Sequence, residues 1–235
     1  MINRLAGKAI HHYRMIEDGD RIVVGLSGGK DSLTLLHALG ERQRRSPVHY
    51  QLFPVYIDPG FENGFAVKQL KQYCSDIGFQ LICEVTDHGP LSHSPENLKN
   101  PCFLCSRLRR KRLFEIADEL NCNKLALGHN KDDIIATLFI NMFYAGHIST
   151  MVPCQPMFQE RFHLIRPLSF VDENLILKFS KDMNFPAFIN GCPTAKKSKR
   201  SEIKQMLSDI YGMSPNIKGN IFRSMSQVRE EYLLT

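Results

Sequence analysis

Six consecutive residues, Ser27-Gly28-Gly29-Lys30-Asp31-Ser32, gather two hydroxyls, one ammonium, one carboxylate and two positions without a side chain. Such a set suits a phosphorylated ligand. Glycines let backbone N–H groups approach an anion, the lysine neutralises charge and the hydroxyls supply hydrogen bonds. Asp31 adds a carboxylate of the kind that holds Mg²⁺ against phosphate oxygens. The spacing is not that of a Walker A loop, because Gly25 is one residue too close to Gly29-Lys30 and Asp31 follows the lysine. No Gly-x-Gly-x-x-Gly dinucleotide fingerprint is present. The plain alternative is a polar turn between a core strand and a helix, which would not need all these residue types.

The second chemical feature is Cys102-Phe-Leu-Cys105, preceded by Pro101. Proline favours a helix start, the i, i+3 spacing sets both thiols on one face, and a helix N-terminus favours the thiolate. Taken alone, the pair fits half a zinc site, a redox couple or two ligands of an iron–sulfur cluster. No second Cys-x-x-Cys exists; the other cysteines, 74, 83, 122, 154 and 192, are isolated. Cys74, Cys83 and Cys122 fall at helix and strand positions that suit burial as small hydrophobes. Cys154 and Cys192 stand beside prolines in irregular stretches, and sequence position does not choose between them as a third ligand. The acids of Asn130-Lys-Asp-Asp133 suit a Mg²⁺ site or the capping of a helix start.

These residues need a scaffold that brings them to one edge. Apolar, β-branched runs predict strands over 22–26, 51–57, 80–85, 123–127 and 164–168. Helices are predicted over 1–16, from 32 to about 40, and over 65–77, 101–120, 131–145, 173–183, 201–211 and 216–233, with irregular stretches at 86–100 and 146–162. The alternation predicts an α/β fold: a parallel five-stranded sheet with helices on both faces, a short N-terminal helix and C-terminal helices. Ligands of such sheets bind beyond the carboxyl ends of the strands. The loop at 27–32, Asp58 after the second strand and Gly128-His129 after the fourth would share that rim. Residues 1–235 read as a single domain, with an N-terminal helix at 1–18 and a C-terminal helical extension at 198–235.

The composition, 43% hydrophobic and 23% charged, is that of a globular chain, and no apolar run has the length of a membrane span. Residues 1–20 lack the apolar core of a signal peptide, so the expected location is cytoplasmic, with no membrane partner. The net charge of +6 is compatible with a polyanionic partner without requiring one. The basic runs at 107–112 and 196–200 could contact RNA phosphates, although a solvated helix face is the commoner use of such runs.

The loop resembles the PP-loop of the ATP pyrophosphatases, which cleave ATP between the α and β phosphates. Over most of its length the chain resembles the tRNA 2-thiocytidine synthetases of that superfamily. The resemblance rests on Gly7-Lys-Ala-Ile10 through Met15-Ile-Glu-Asp-Gly-Asp20, the PP-loop, Cys102-x-x-Cys105-Ser-Arg-Leu-Arg-Arg110, Gly128-His-Asn-x-Asp-Asp133 and Ile165-Arg-Pro-Leu168. It implies ATP-dependent thiolation of tRNA at cytidine 32 of the anticodon loop. It further implies ATP, Mg²⁺ and a [4Fe-4S] cluster as cofactors, a sulfur donor (a cysteine desulfurase or sulfide) and a homodimer. Carried onto this sequence, it implies nucleotide contacts from Ser27, Gly28, Gly29, Lys30, Asp31, Ser32, Asp58, Gly128 and His129. Lys30, Asp31 and Asp133 take the catalytic roles. Cys102, Cys105 and Cys192 become the cluster ligands, the last because it follows Phe185-Pro186. Where the family carries a second Cys-x-x-Cys-like segment leading into Gly-Ser-Gln, this chain has Gly191-Cys192-Pro193 and a lysine-rich run.

The implied chemistry is activation of a pyrimidine ring oxygen with AMP, followed by displacement with sulfur. Other readings of the same residues are a PP-loop enzyme of the 2-thiouridine or lysidine type, a persulfide relay at Cys102 and Cys105, and a non-catalytic nucleotide or iron–sulfur sensor.

Overall fold

The structure is a computed structural model that describes residues 1–61, 67–98, 100–186, 191–194 and 199–233. Its described residues form two compact units, one comprising Met1–Asn130 and Val152–Ala195, the other Lys131–Met151 and Lys196–Thr235.

The first unit is built on a sheet of β1 (Asp20–Leu26), β2 (Tyr50–Asp58), β3 (Ile82–Val85), β4 (Lys124–Leu127), β5 (Cys154–Met157) and β6 (Phe162–Ile165). The strand order is β3-β2-β1-β4-β6-β5, parallel except for the β5–β6 pair. Helices α1 (Ile2–His12), α2 (Lys30–Arg45), α3 (Val67–Asp76), α4 (His88–Ser92), α5 (Pro101–Glu119) and α7 (Glu173–Asp182) accompany it. The pleat of β1 shows why both faces are covered. Ile22, Val24 and Leu26 pack into a core shared with α1, α2, α3 and α7, while Val23 joins Leu113, Phe114, Ile116 and Ala117 of α5 on the other side.

The expected α/β architecture holds, with a correction to the strand count. The sheet has six strands rather than five, because the stretch expected to be irregular at 146–162 contains β5. Pro153 and Pro156 hide this strand from a sequence reading. Proline cannot donate to a ladder, yet β5 is an edge strand, where that loss is tolerated. The loop expected over 86–100 contains the short α4, and the last strand lies at Phe162–Ile165, ending before Arg166-Pro167.

The second unit contains α6 (Lys131–Ile140), a π-helical turn (Asn141–Ala145), α8 (Lys199–Met213) and α9 (Ile217–Ser224). Ile135 and Ala136 of α6 pack on Ile203 and Leu207 of α8. The helix expected over 216–233 is shorter: α9 stops at Ser224, and a single 3₁₀ turn follows at Glu230–Tyr232. Among the described residues no helix is long and apolar enough to cross a membrane.

Candidate active site

The phosphate loop joins β1 to α2, so it lies at the carboxyl rim of the sheet with an open helix N-terminus. Gly28 turns the chain at φ +74°, a conformation that only glycine adopts without strain. The two serines tie the loop to itself. Ser32 Oγ accepts from the Ser27 amide at 3.1 Å and donates to the Gly29 carbonyl at 2.9 Å, and the Gly29 amide donates to Ser27 Oγ at 3.4 Å. Preorganisation of this kind leaves little to order when a ligand arrives.

Two further segments meet the loop. A Cβ on Gly128 would stand 2.9 Å from the Asp31 carbonyl carbon and 3.0 Å from the Ser32 nitrogen, so only glycine allows the end of β4 to approach so closely. Two residues on, Asn130, 1% exposed, donates from Nδ2 to Asp31 Oδ1 at 2.8 Å. Lys30 Nζ donates to Asp31 Oδ2 at 2.9 Å and to Glu173 Oε1, at the start of α7, at 2.8 Å. Burial pulls the Lys30 pKa down, but the two carboxylates outweigh it and leave the ammonium above its ordinary range. Asn130 and Glu173 received no such role from the sequence. An asparagine after Gly-His and a glutamate in a helix first turn look like local caps until the fold brings them to the loop.

The other expected nucleotide residues divide. His129 receives the Arg166 Nε–H at Nδ1, 3.4 Å away. Asp58 ends β2, and its carboxylate accepts from the Gly60 amide at 2.9 Å, stabilising its own turn. Asp133 lies in the second unit, where its carboxylate meets Lys204 Nζ at 2.9 Å and Arg200 at 3.9 Å.

The thiols stand at the start of α5. Asn100 caps this helix, its side chain accepting from the Cys102 amide at 2.9 Å and from the Phe103 amide at 3.4 Å, with Pro101 in the first turn. Burial in α5 begins only at Leu113, so the helix start carries no core residue. Cys102 Sγ lies 3.5 Å from Thr194 Oγ1, and Cys192 Sγ lies 3.3 Å from the same hydroxyl. His93 Nε2 meets it too, at 3.3 Å. Cys105 is half-buried; burial pushes its thiol pKa up, Arg109 pulls it down, and Cys192 and Cys102 push it up again. Cys192 therefore stands with the Cys-x-x-Cys pair. Cys154 lies in β5, beside Lys124, Glu17, Arg166 and Asp20. Three soft donors beside an arginine suit an iron–sulfur cluster. Among the described residues no three Cys, His, Asp or Glu side chains are gathered as for a single metal ion.

The basic run at 107–112 divides by helix face. Arg112 binds Glu84 through Nε at 2.6 Å and Nη2 at 2.8 Å, and Glu119 through Nη1 at 2.8 Å. Lys111 pairs with Glu115 at 3.6 Å, while Arg109 and Arg110 have no carboxylate partner among the described residues. Of the run at 196–200, Lys196, Lys197 and Ser198 lie outside the described residues, and Lys199 pairs with Glu202 at 3.2 Å.

Comparison with known proteins identifies the family and the fold. The PP-loop domain family matches residues 2–209. A tRNA-cytidine(32) 2-sulfurtransferase of Geotalea daltonii is 39% identical over 237 residues, covering 99% of this chain and 93% of its own length. Its counterpart in Geobacter sulfurreducens is 37% identical over 236 residues, covering 99% and 91%. Among solved structures, the U34-tRNA thiolase NcsA from Methanococcus maripaludis with its [4Fe-4S] cluster superimposes with a TM-score of 0.80 at 24% identity, covering 99% of this chain and 78% of its own. At that identity the likeness concerns the fold.

Proposed function

The chain belongs to the PP-loop domain family and, within it, to the tRNA-cytidine(32) 2-sulfurtransferases, and from that premise we propose that it uses ATP to replace the C2 oxygen of cytidine 32 of tRNA with sulfur. The observation that carries this reading is the meeting of Cys102 and Cys192 at the Thr194 hydroxyl, next to Cys105, in the unit that also holds the phosphate loop.

The chemistry has two steps. The C2 oxygen attacks the α phosphorus of ATP and pyrophosphate leaves. Sulfide then bonds to C2 as the C2–O bond breaks, and the oxygen departs with AMP. Neither step oxidises or reduces the nucleoside. The amides and hydroxyls of Ser27, Gly28, Gly29 and Ser32 bind the β and γ phosphates, with Gly128 and His129 closing the site and Asp58 on the neighbouring strand end. Lys30 exchanges a carboxylate partner for phosphate, which keeps charge balanced as negative charge moves to the leaving group. Asp31 would hold Mg²⁺ at the loop, and Asp133 is the second catalytic carboxylate. Cys102, Cys105 and Cys192 would hold a [4Fe-4S] cluster, which would supply a sulfur-carrying centre for the second step.

Residues 1–235 act as one PP-loop domain with a helical extension, working in the cytoplasm as a homodimer. The sulfur comes from a cysteine desulfurase or from free sulfide. Arg107 and the run at 196–200 meet the tRNA backbone.

Anaerobic purification with iron counting and a tRNA thiolation assay tests the reading. Cys192→Ser is expected to lose iron and thiolation together, whereas Cys154→Ser keeps both. Lys30→Ala is expected to keep iron and lose AMP release. A Cys192→Ser protein with full iron and full activity would sink the assignment.

A further inference from the structure

One hydroxyl joins three segments at the thiols. Thr194 Oγ1 lies 3.3 Å from Cys192 Sγ, 3.5 Å from Cys102 Sγ and 3.3 Å from His93 Nε2. His93 follows α4 and is held on its other side as well. Its Nδ1 meets the Gly89 carbonyl at 3.0 Å, and its ring packs edge-on against Phe61 with centroids 5.5 Å apart. The Gly89 amide donates to the Pro59 carbonyl at 2.7 Å, which ties α4 to the turn after β2. Ser92, the buried residue before His93, is hydrogen-bonded to the Cys105 thiol. The end of α4 therefore reaches all three cysteines, two of them through Thr194.

Donor and acceptor roles follow from the partners. A carbonyl only accepts, so the proton of the neutral His93 ring sits at Nδ1 and leaves Nε2 an acceptor. The Thr194 hydroxyl has one proton to give, and its oxygen can receive two. While Cys102 and Cys192 are thiols, that proton goes to Nε2 and the sulfurs donate to the oxygen. Sulfurs that hold a metal are thiolates with no proton of their own. The hydroxyl is then the donor at hand, and a hydrogen bond to an ionised acceptor is stronger than one to a neutral nitrogen. A plain tether would also keep residues 191–194 against α5. It would need a single hydrogen bond to any acceptor, however, not a hydroxyl that meets two sulfurs and an imidazole fixed from behind.

We infer that Thr194 and His93 are positioning residues for the cluster ligands Cys102 and Cys192: the hydroxyl hydrogen-bonds the ligating sulfurs, and His93 holds it in place between them. Outer groups of this kind fix the orientation of metal ligands and tune the centre they hold. The inference deepens the proposed function and rests on it for the [4Fe-4S] cluster at the three cysteines.

Anaerobically reconstituted protein tests it without turnover, through the rate of iron release to a ferrous chelator and the reduction potential of the cluster. Thr194 is half-buried, so its substitutions should fold. Thr194→Val keeps the shape and removes the hydroxyl. It is expected to release iron at least ~10-fold faster, the usual cost of losing an outer partner of a metal ligand. Its potential should also become more negative, because a donor to a ligand sulfur stabilises the reduced cluster. Thr194→Ser restores the hydroxyl and should stay within ~3-fold of wild type in iron release, with the potential unshifted. His93→Phe keeps a ring against Phe61 but loses Nε2, and its iron release should fall between the two. Wild-type release in His93→Phe, or a Thr194→Ser protein that matches Thr194→Val, overturns the inference. So does a Thr194→Val protein with a lower thermal midpoint but the wild-type potential, which would reduce the contacts to a tether. A wild-type protein that takes up no iron would refute the proposed function, whereas a fully loaded wild type beside an unaltered Thr194→Val refutes this inference alone.

Discussion

Gly128→Ala is the sharpest test of how the site is assembled. The new Cβ would stand 2.9 Å from the Asp31 carbonyl carbon, 3.0 Å from its oxygen and 3.0 Å from the Ser32 nitrogen. All three are backbone atoms, so no side chain can turn away. Relief to ordinary contact requires β4 and the loop to separate by about 0.4–0.5 Å, a small overpacking of the kind that costs about 1–3 kcal/mol. For a chain of this size that is a fall of about 2–12 °C in thermal midpoint. The displacement falls on the loop that binds ATP, where a misplacement of about 1 Å can cost ~10²-fold, so a loss near ~10-fold in ATP affinity is expected. Gly29→Ala is the control. Its Cβ meets nothing nearer than Ser27 Oγ at 3.5 Å, and its φ of −74° suits any residue. Its midpoint should move by less than the equivalent of about 0.5 kcal/mol. Scanning calorimetry gives the midpoints and equilibrium binding gives the affinities. A Gly128→Ala protein with wild-type stability and ATP affinity would refute the close packing of β4 on the loop.

Two further predictions concern thiols and arginines outside the site. Burial pushes the Cys74 and Cys122 thiols from 9.0 up to about 11. Because the folded values are raised, their stabilising contribution is complete below pH 9 and is lost as pH rises through 11, by up to about 3 kcal/mol per thiol. Urea unfolding at pH 8 and pH 10.5 should show the loss, and Cys74→Ala should flatten it; a profile equally steep in the variant would contradict the assignment. Arg112→Ala should leave tRNA affinity and its salt dependence unchanged, because Arg112 serves Glu84 and Glu119, and should cost under about 1 kcal/mol of stability. A salt slope reduced by about one in filter binding would instead place Arg112 on a phosphate.

Much of the fold is legible in the sequence because the parallel strands are buried on both faces. Ile22-Val-Val24 and Val55-Tyr-Ile57 read as continuous apolar runs, and the glycine-rich turn after β1 is local chemistry. What escapes a sequence reading follows from local signals that conflict with tertiary context. Pro153 and Pro156 argue against a strand, yet pairing with β6 stabilises β5 at the sheet edge.

The sequence alone determined the residue types at the loop, the Cys-x-x-Cys pair and the order of the parallel strands and of the longer helices between them. These depend on neighbours along the chain, where period and spacing carry the information. Only the tertiary structure decided which distant groups meet them. Glu173 reaches Lys30 across 143 positions, and Thr194 stands 92 positions from Cys102. It also set Cys192 apart from Cys154. Such contacts follow from strand order and crossover geometry, which bring segments far apart in sequence to one rim of the sheet. A side chain's charge is written in the sequence, but its partner is chosen by the fold.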